Sequence, residues 1–471
     1  MKGLSLLLVV NAALVKATTL VDIEPRQSNA KTAYVNLALT RGEPQHVASG
    51  FIYGIPDNYP NQIPIHWYTD MGIRFCKGGG AQLGNVGYRG WIVGLNDYKG
   101  RFVSTLANYK TCVAAKGDFS IYVHDLWGTD HSNSNTKWPG DNGDWSDYDK
   151  FVRQLMTDIS ENMDPARVTW DIWNEPDISI FWKRNTQQWV DMYVRTHKLI
   201  RANSKLSSMK ISGPSMAFRP MPSNSWWTSW LRQVAGNSTV PDLYSYHLEG
   251  GVNEVDNDPQ YSNSSLRSLL KQYGLPERQV FANEYAESSE MVPGSYIWWI
   301  SRLERYDFWG MLGNWLGGTQ LHDLFGGLLT KKSNPGNYAA TDYVAAPGHL
   351  VYSYYNLNMT GVRANTTGST DRSLDTYATK GKDKVRILAG VKLQTGTYSV
   401  VVQGLSAVGY SSGSVTVSTY SFDGASTRVI ASGPTAKGSA TYSIVNGAIT
   451  IPIHQDISST GWAFEFPVKA A

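Results

Sequence analysis

The sequence predicts an α/β fold: a (β/α)8 TIM barrel with a C-terminal antiparallel β-sandwich domain. Three observations predict it. Between about residues 49 and 357, short apolar runs alternate with amphipathic stretches, which is the pattern of strand–helix units. Two of those runs, Val168–Pro176 (VTWDIWNEP) and Val280–Glu287 (VFANEYAE), place Asn-Glu at the end of a β-branched and aromatic stretch. After about Val362 the helical period disappears, and short β-rich runs recur between Gly, Ser and Thr.

In chain order, Met1–Ala17 has a basic start at Lys2, a short apolar stretch over Leu4–Val15 and small residues at Val15 and Ala17. That is the pattern of a cleaved secretory signal. The expected mature chain starts near Thr18 and is secreted to the extracellular space. Later runs stay short of the ~20 apolar residues needed to span a bilayer. The formal charge of +3 falls close to neutral once Lys2 and Lys16 are removed, so composition argues for neither nucleic acid nor a membrane surface as partner. Residues 18–48 hold a strand-like run, Thr32–Leu39, expected to join the sandwich.

Residues 49–357 form the expected barrel. Its candidate strands are Gly50–Gly54, Gly72–Cys76, Phe119–His124, Val168–Trp173, Met209–Gly213, Asp242–His247, Gln279–Asn283 and Phe308–Trp315. Helices are expected at Ser104–Lys116, Asp147–Asn162 and Thr186–Ala202. In the last, Trp189, Met192, Tyr193, Thr196, Leu199 and Ile200 recur at steps of three and four, and Asn185 or Thr186 caps the start. Residues 358–471 form the expected sandwich, with strands at Ser373–Ala378, Lys384–Ala389, Tyr398–Gly404, Ser414–Phe422, Arg428–Ala431, Ala440–Val445, Ala448–Pro452 and Trp462–Pro467.

Cys76 and Cys112 are the cysteines of the chain; export permits a disulfide between them, but spacing does not decide it. Asn237, Asn263, Asn358 and Asn365 lie in sequons and are candidate N-glycan sites. The Gly-rich run Lys77–Gly90 lacks the Gly-Lys-Ser/Thr ending of a phosphate-binding loop and reads as the loop after strand two. The nine histidines lack ligand spacing, and His322-Asp323 alone is not a metal site, so neither metal nor cofactor is expected.

A glutamate at the end of a buried run is costly unless the site uses it. In a TIM barrel, functional groups stand at the carboxyl ends of strands. Glu175 and Glu284 fall there on candidate strands four and seven, and paired carboxylates facing one bond are the equipment of glycoside hydrolysis. Further candidates follow from strand-end positions. Arg74 would keep Glu284 ionised. His247 ends strand six, and Glu249, two residues on, would contact a substrate hydroxyl. His124, Asp125 and Trp127 would form the first sugar subsite. Trp315 would lie under the sugar ring, one use for a chain holding 17 Trp and 27 Tyr. Trp-rich surroundings and the charge on Glu284 are expected to raise the pKa of Glu175.

Three stretches resemble glycoside hydrolase family 39, the β-xylosidase/α-L-iduronidase family: WDIWNEPDISIFW at Trp170–Trp182, FANEYAES at Phe281–Ser288 and LHDLFGGLLTKK at Leu321–Lys332. The resemblance implies a retaining hydrolase with Glu175 as general acid/base, Glu284 as nucleophile and Asn174 bonded to the hydroxyl beside the anomeric carbon. It implies a xyloside or related pentoside as carbohydrate substrate. The chain departs from the family pattern at Cys76, where His is common, at Glu249, where Tyr is usual, and at Asn283, where Thr is frequent; all three are expected to line the pocket. A transglycosylase, or a carbohydrate-binding protein on a hydrolase scaffold, remains an alternative reading.

Overall fold

Eight short apolar strands close into a parallel barrel, each next to its sequence neighbour: β2 (Gly50–Ile52), β3 (Phe75–Gly78), β4 (Asp118–Tyr122), β5 (Val168–Asp171), β6 (Lys210–Met216), β7 (Leu243–Leu248), β8 (Gln279–Tyr285) and β9 (Trp309–Leu312). The N-terminal strand β1 (Thr32–Thr40) precedes them and lies outside the barrel. The computed structural model describes residues 30–57, 62–83, 86–250 and 257–469, so the expected leader Met1–Ala17 lies outside the described residues.

The barrel strands read as continuous apolar runs because helices cover their outer faces while side chains fill the interior. Every residue of β7 is buried. The helices are α1 (His66–Asp70), α2 (Leu95–Ala114), α3 (Val123–Trp127), α4 (Ser146–Asn162), α5 (Thr186–Arg201), α6 (Ser225–Asn237), α7 (Pro259–Tyr273), α8 (Pro293–Tyr306) and α9 (Pro347–Leu357). Asn185 caps α5, its side chain accepting from Gln188 N at 2.9 Å. The expected helix at Ser104–Lys116 is the second half of α2, which starts at Leu95, five residues after the Gly-rich run.

One register difference matters for the site. Strand two was expected at Gly72–Cys76 but runs over Phe75–Gly78, because the chain through Gly72 (φ 62°) is still turning out of α1. Side chains alternate along a strand. Phe75 therefore points into the barrel against Phe281 and Trp309, and Lys77 follows it on the same side. Cys76 faces outward and is disulfide-bonded to Cys112 of α2. Cys76 thus does not line the pocket.

A hairpin of β10 (Leu329–Lys331) and β11 (Tyr343–Ala345) follows the barrel. The sandwich comprises β12 (Val362–Thr367), β13 (Leu374–Lys380), β14 (Lys384–Val391), β15 (Gly396–Gln403), β16 (Ser414–Phe422), β17 (Thr435–Ser443), β18 (Ile449–Gln455) and β19 (Gly461–Pro467), with β1 between β12 and β15. The β1–β15 pairing is parallel; the others are antiparallel. β12 changes partner along its length: Val362 and Arg363 pair with β13, and Ala364–Thr367 with β1. It thereby joins two layers that enclose one apolar core. At the sandwich edge β18 alternates buried and exposed residues, as a strand with one wet face must. The expected strand Arg428–Ala431 is instead a loop with Val429 and Ile430 exposed, tied to β11 by Ala431 N.

The sandwich docks on α8, the helix that follows the seventh barrel strand. Ten or more consecutive residues of α8 are buried, a helix apolar enough to be covered all round. The approach is so close that a Cβ on Gly390 would stand 2.2 Å from Gly294 O.

Candidate active site

Glu175 and Glu284 meet around one histidine. His247 on β7 is fully buried and sits beside Glu284 in the β7–β8 register. Its Nδ1 lies 2.9 Å from Glu175 Oε1, and its Nε2 lies 3.6 Å from Glu284 Oε1. The two carboxyl groups, remote in the chain, are therefore neighbours across the barrel mouth. Glu175 lies just past β5 with φ 44°, a left-handed conformation costing a non-glycine residue about 1–2 kcal/mol. Its N–H donates to Ser215 O at 2.8 Å, which holds the strained turn in place. Such an outlier at a strand's carboxyl end fits a functional position.

Lys77, not Arg74, is the basic side chain that reaches Glu284 beside His247. Its buried ammonium donates to Asn174 Oδ1 at 2.9 Å, pairs with Asp171 Oδ2 at 2.8 Å, lies over the Tyr122 ring and reaches Glu284 Oε1 at 3.9 Å. Arg74 precedes β3 at the opposite end of the strand, where its guanidinium donates to Gln45 O and lies over the Phe75 ring. The register of strand two explains the correction. Arg74 and Lys77 fall on opposite strand ends once the strand starts at Phe75. The usable sequence signal was a lysine inside an apolar run just before Gly-Gly. Asp171 and Tyr122 were also missed. The Tyr122 hydroxyl donates to Glu284, and Asp171 accepts from Ser215 and from Asn283, so Asn283 orients Asp171 rather than facing a substrate.

The other candidates divide. His124 and Asp125 are buried and paired, Nε2 to Oδ1 at 3.0 Å, with Tyr53 OH donating to Asp125 Oδ2. The His124 charge acts on Glu175, so this pair borders the acids. Trp127 is only 2 % exposed and packs on Tyr148, Phe151 and Trp173, so it is core and no sugar platform. Trp315 is 48 % exposed in the loop after β9, anchored by Nε1 donating to Ala286 O. Glu249, expected to meet substrate, lies beside Glu284 and in one group with Glu175 and His247. Asn237, Asn263, Asn358 and Asn365 are all half-buried.

Electrostatics set the resting charges. Burial pulls the His247 pKa down, but the charges of Glu284 and Glu175 more than reverse this and raise it to about 9. Burial pushes the Glu175 carboxyl up, yet His247, aided by His124 and Lys77, holds it below the ordinary carboxylate value. This departs from the raised value expected from its aromatic surroundings, which a buried cation outweighs. Glu249 is driven well above the usual range by burial and by Glu284, against the pull of His247. One donor atom each from Glu175, His247 and Glu249 lies within 4.8 Å of the others, a spacing that admits a cation. His322 and Asp323 are engaged separately, with Ala81 O and with Lys331 and Tyr343.

No protein-family model and no curated protein matches the chain. Solved structures do. A protein from Neocallimastix frontalis superposes with TM-score 0.69 at 22% identity, over 93% of this chain and 100% of that one. A glycoside hydrolase family 39 enzyme from Xanthomonas axonopodis pv. citri gives TM-score 0.57 at 12% identity, over 96% and 100%. A family 39 β-xylosidase from Caulobacter crescentus gives 0.55 at 14%, over 93% and 99%. The chain has the fold of these enzymes, barrel and sandwich together.

Proposed function

We propose that the protein is a secreted retaining glycoside hydrolase acting on oligo- or polysaccharides by double displacement. The observation that carries this reading is the convergence of Glu175 and Glu284 on His247 at the carboxyl ends of the fourth and seventh barrel strands. Glu284 attacks the anomeric carbon as Glu175 protonates the departing oxygen; water, deprotonated by Glu175, then releases the sugar from Glu284. The chain's own groups support each step. Tyr122 and Lys77 orient Glu284 and favour its charge. The acid proton rests on the His247–Glu175 pair. As attack consumes the charge on Glu284, the imidazolium loses its largest electrostatic support, and the proton moves to Glu175 as the leaving oxygen requires it. Lys77 holds Asn174 from its Oδ1 side, fixing the amide toward the sugar.

The family resemblance and the β-xylosidase among the structural neighbours favour xylosides or related pentosides. Trp315 is the exposed platform for the ring. The test is a screen of purified protein against aryl glycosides and plant and fungal polysaccharides, with Glu284→Gln as the blank and NMR of the first-formed anomer. Hydrolysis with retained configuration by wild type alone is expected. Identical behaviour of wild type and blank on every substrate would assign the protein to carbohydrate binding, and sugar transfer to an added acceptor would assign it to transglycosylation. Export and glycosylation are checked by the N-terminal sequence and the mass shift on enzymatic deglycosylation of the secreted protein.

A further inference from the structure

Among the described residues, the linked side chains at the barrel mouth hold more acid than base. Asp171, Glu175, Glu249 and Glu284 are linked by direct contacts, and the cations among them are Lys77 and His247. Lys77 gives its shortest contacts to Asp171 and Asn174. His247 turns Nδ1 to Glu175 and Nε2 to Glu284. Glu249 faces two carboxylates and one imidazole: it stands beside Glu284, it belongs with Glu175 and His247 to a group whose polar atoms lie within 4.8 Å of one another, and among the described residues its buried Oε1 has no hydrogen-bond partner. Two ionised carboxylates offer acceptors only, so a hydrogen bond between them requires one proton.

We propose that Glu249 is a neutral carboxylic acid whose O–H donates to the Glu284 carboxylate, making it a positioning residue for the nucleophile. This rests on Glu284 being that nucleophile. Together with the Tyr122 hydroxyl it gives Glu284 two neutral donors, which orient the carboxylate without neutralising it. A buried acid kept protonated so that it can donate is a known device of enzyme sites. The groups facing Glu249 are Glu175 from the exit of β5, His247 from β7 and Glu284 from β8; Lys77 from β3 and Tyr122 from β4 stand against Glu284, Asp171 from β5 pairs with Lys77, and His124 from α3 acts on Glu175. Lys392 reaches the neighbouring residue, donating to Gly250 O at 3.2 Å, and is paired with Glu290.

The consequence is an alkaline limit. Ionisation of Glu249 removes a donor and sets a second negative charge against Glu284. Glutamine cannot ionise and still donates, although an amide N–H is the weaker donor. Glu249→Gln is therefore expected to lower kcat/KM a few-fold at the acid optimum and to move the alkaline limb upward. At one pH unit above the wild-type limb, where wild type keeps about a tenth of its rate, the variant keeps most of its own. Glu249→Leu, which cannot donate, is expected to lose about 10- to 100-fold at every pH. A second reading needs no turnover: the infrared C=O stretch of a protonated carboxyl in the unliganded wild type should vanish in Glu249→Gln. Thermal unfolding of each variant checks that it folds. An infrared band that is unchanged in Glu249→Gln overturns the proposal. If wild type turns over no glycoside at all, the hydrolase reading fails while the infrared result still decides the protonation of Glu249.

Discussion

The protein buries two clusters of charge, one at the barrel mouth and one where α8 meets the sandwich, and they are balanced differently. At the sandwich contact Asp375 pairs with Arg302 at 2.8 Å and with Arg305, Asp258 lies 3.4 Å from Arg302, Glu290 pairs with Lys392 at 2.6 Å, and Glu304 pairs with Arg363 at 2.7 Å. Four acids face four lysine or arginine side chains. At the mouth, four acids face Lys77 and an imidazole. A cluster that only joins domains closes its charge. The mouth keeps a surplus, offset by one proton on the His247–Glu175 pair and, on our proposal, a second on Glu249. The movable proton of that pair is what acid–base chemistry needs.

The comparison can be broken at several points. Glu175→Gln is expected to lower kcat by about 10²- to 10⁴-fold with only a modest fall in the urea midpoint, because Glu284 still stands against His247. Asp375→Asn is expected to do the reverse: steady-state kinetics close to wild type, but about 3–5 kcal/mol less stability in urea, since two buried arginines lose the carboxylate they share and only Arg302 keeps a second one, Asp258. If the two variants exchanged these effects, the distinction between the clusters would collapse.

His247 sharpens the contrast through pH. Its folded pKa is raised from 6.5 to about 9, so the stability it contributes is complete below pH 6.5 and is lost as pH rises through about 9. The loss is on the order of 3 kcal/mol. Urea titrations at several pH values should show a slope in this window that is much reduced in His247→Gln. The smallest effect concerns two tryptophans. Trp315→Ala is expected to cost about 0.5–1.5 kcal/mol of substrate binding, read as a higher KM with little loss of stability. Trp127→Ala should instead lower stability by about 3–5 kcal/mol, as a fully packed side chain does.

All eight barrel strands were legible because a buried parallel strand announces itself locally, as a short apolar run bounded by turns. Glu175 and Glu284 were legible for the same reason: an ionisable residue interrupts each run where the barrel opens. Thr32–Leu39 could be expected in the sandwich from its pattern, but its parallel pairing with β15 could not. Arg428–Ala431 carried strand-like residues, yet no neighbouring edge took it up.

The sequence by itself determined which residues could carry chemistry, since strand period and strand ends are local properties of the chain. Tertiary structure alone decided which of them do. A shift of strand two toward its carboxyl end exchanged Arg74 for Lys77 and turned Cys76 to Cys112, because side-chain direction alternates with every residue. The charge states of Glu175, His247 and Glu249 were likewise beyond sequence: each is set by neighbours on other strands, and Coulomb interaction in a buried site depends on distance in space, not along the chain.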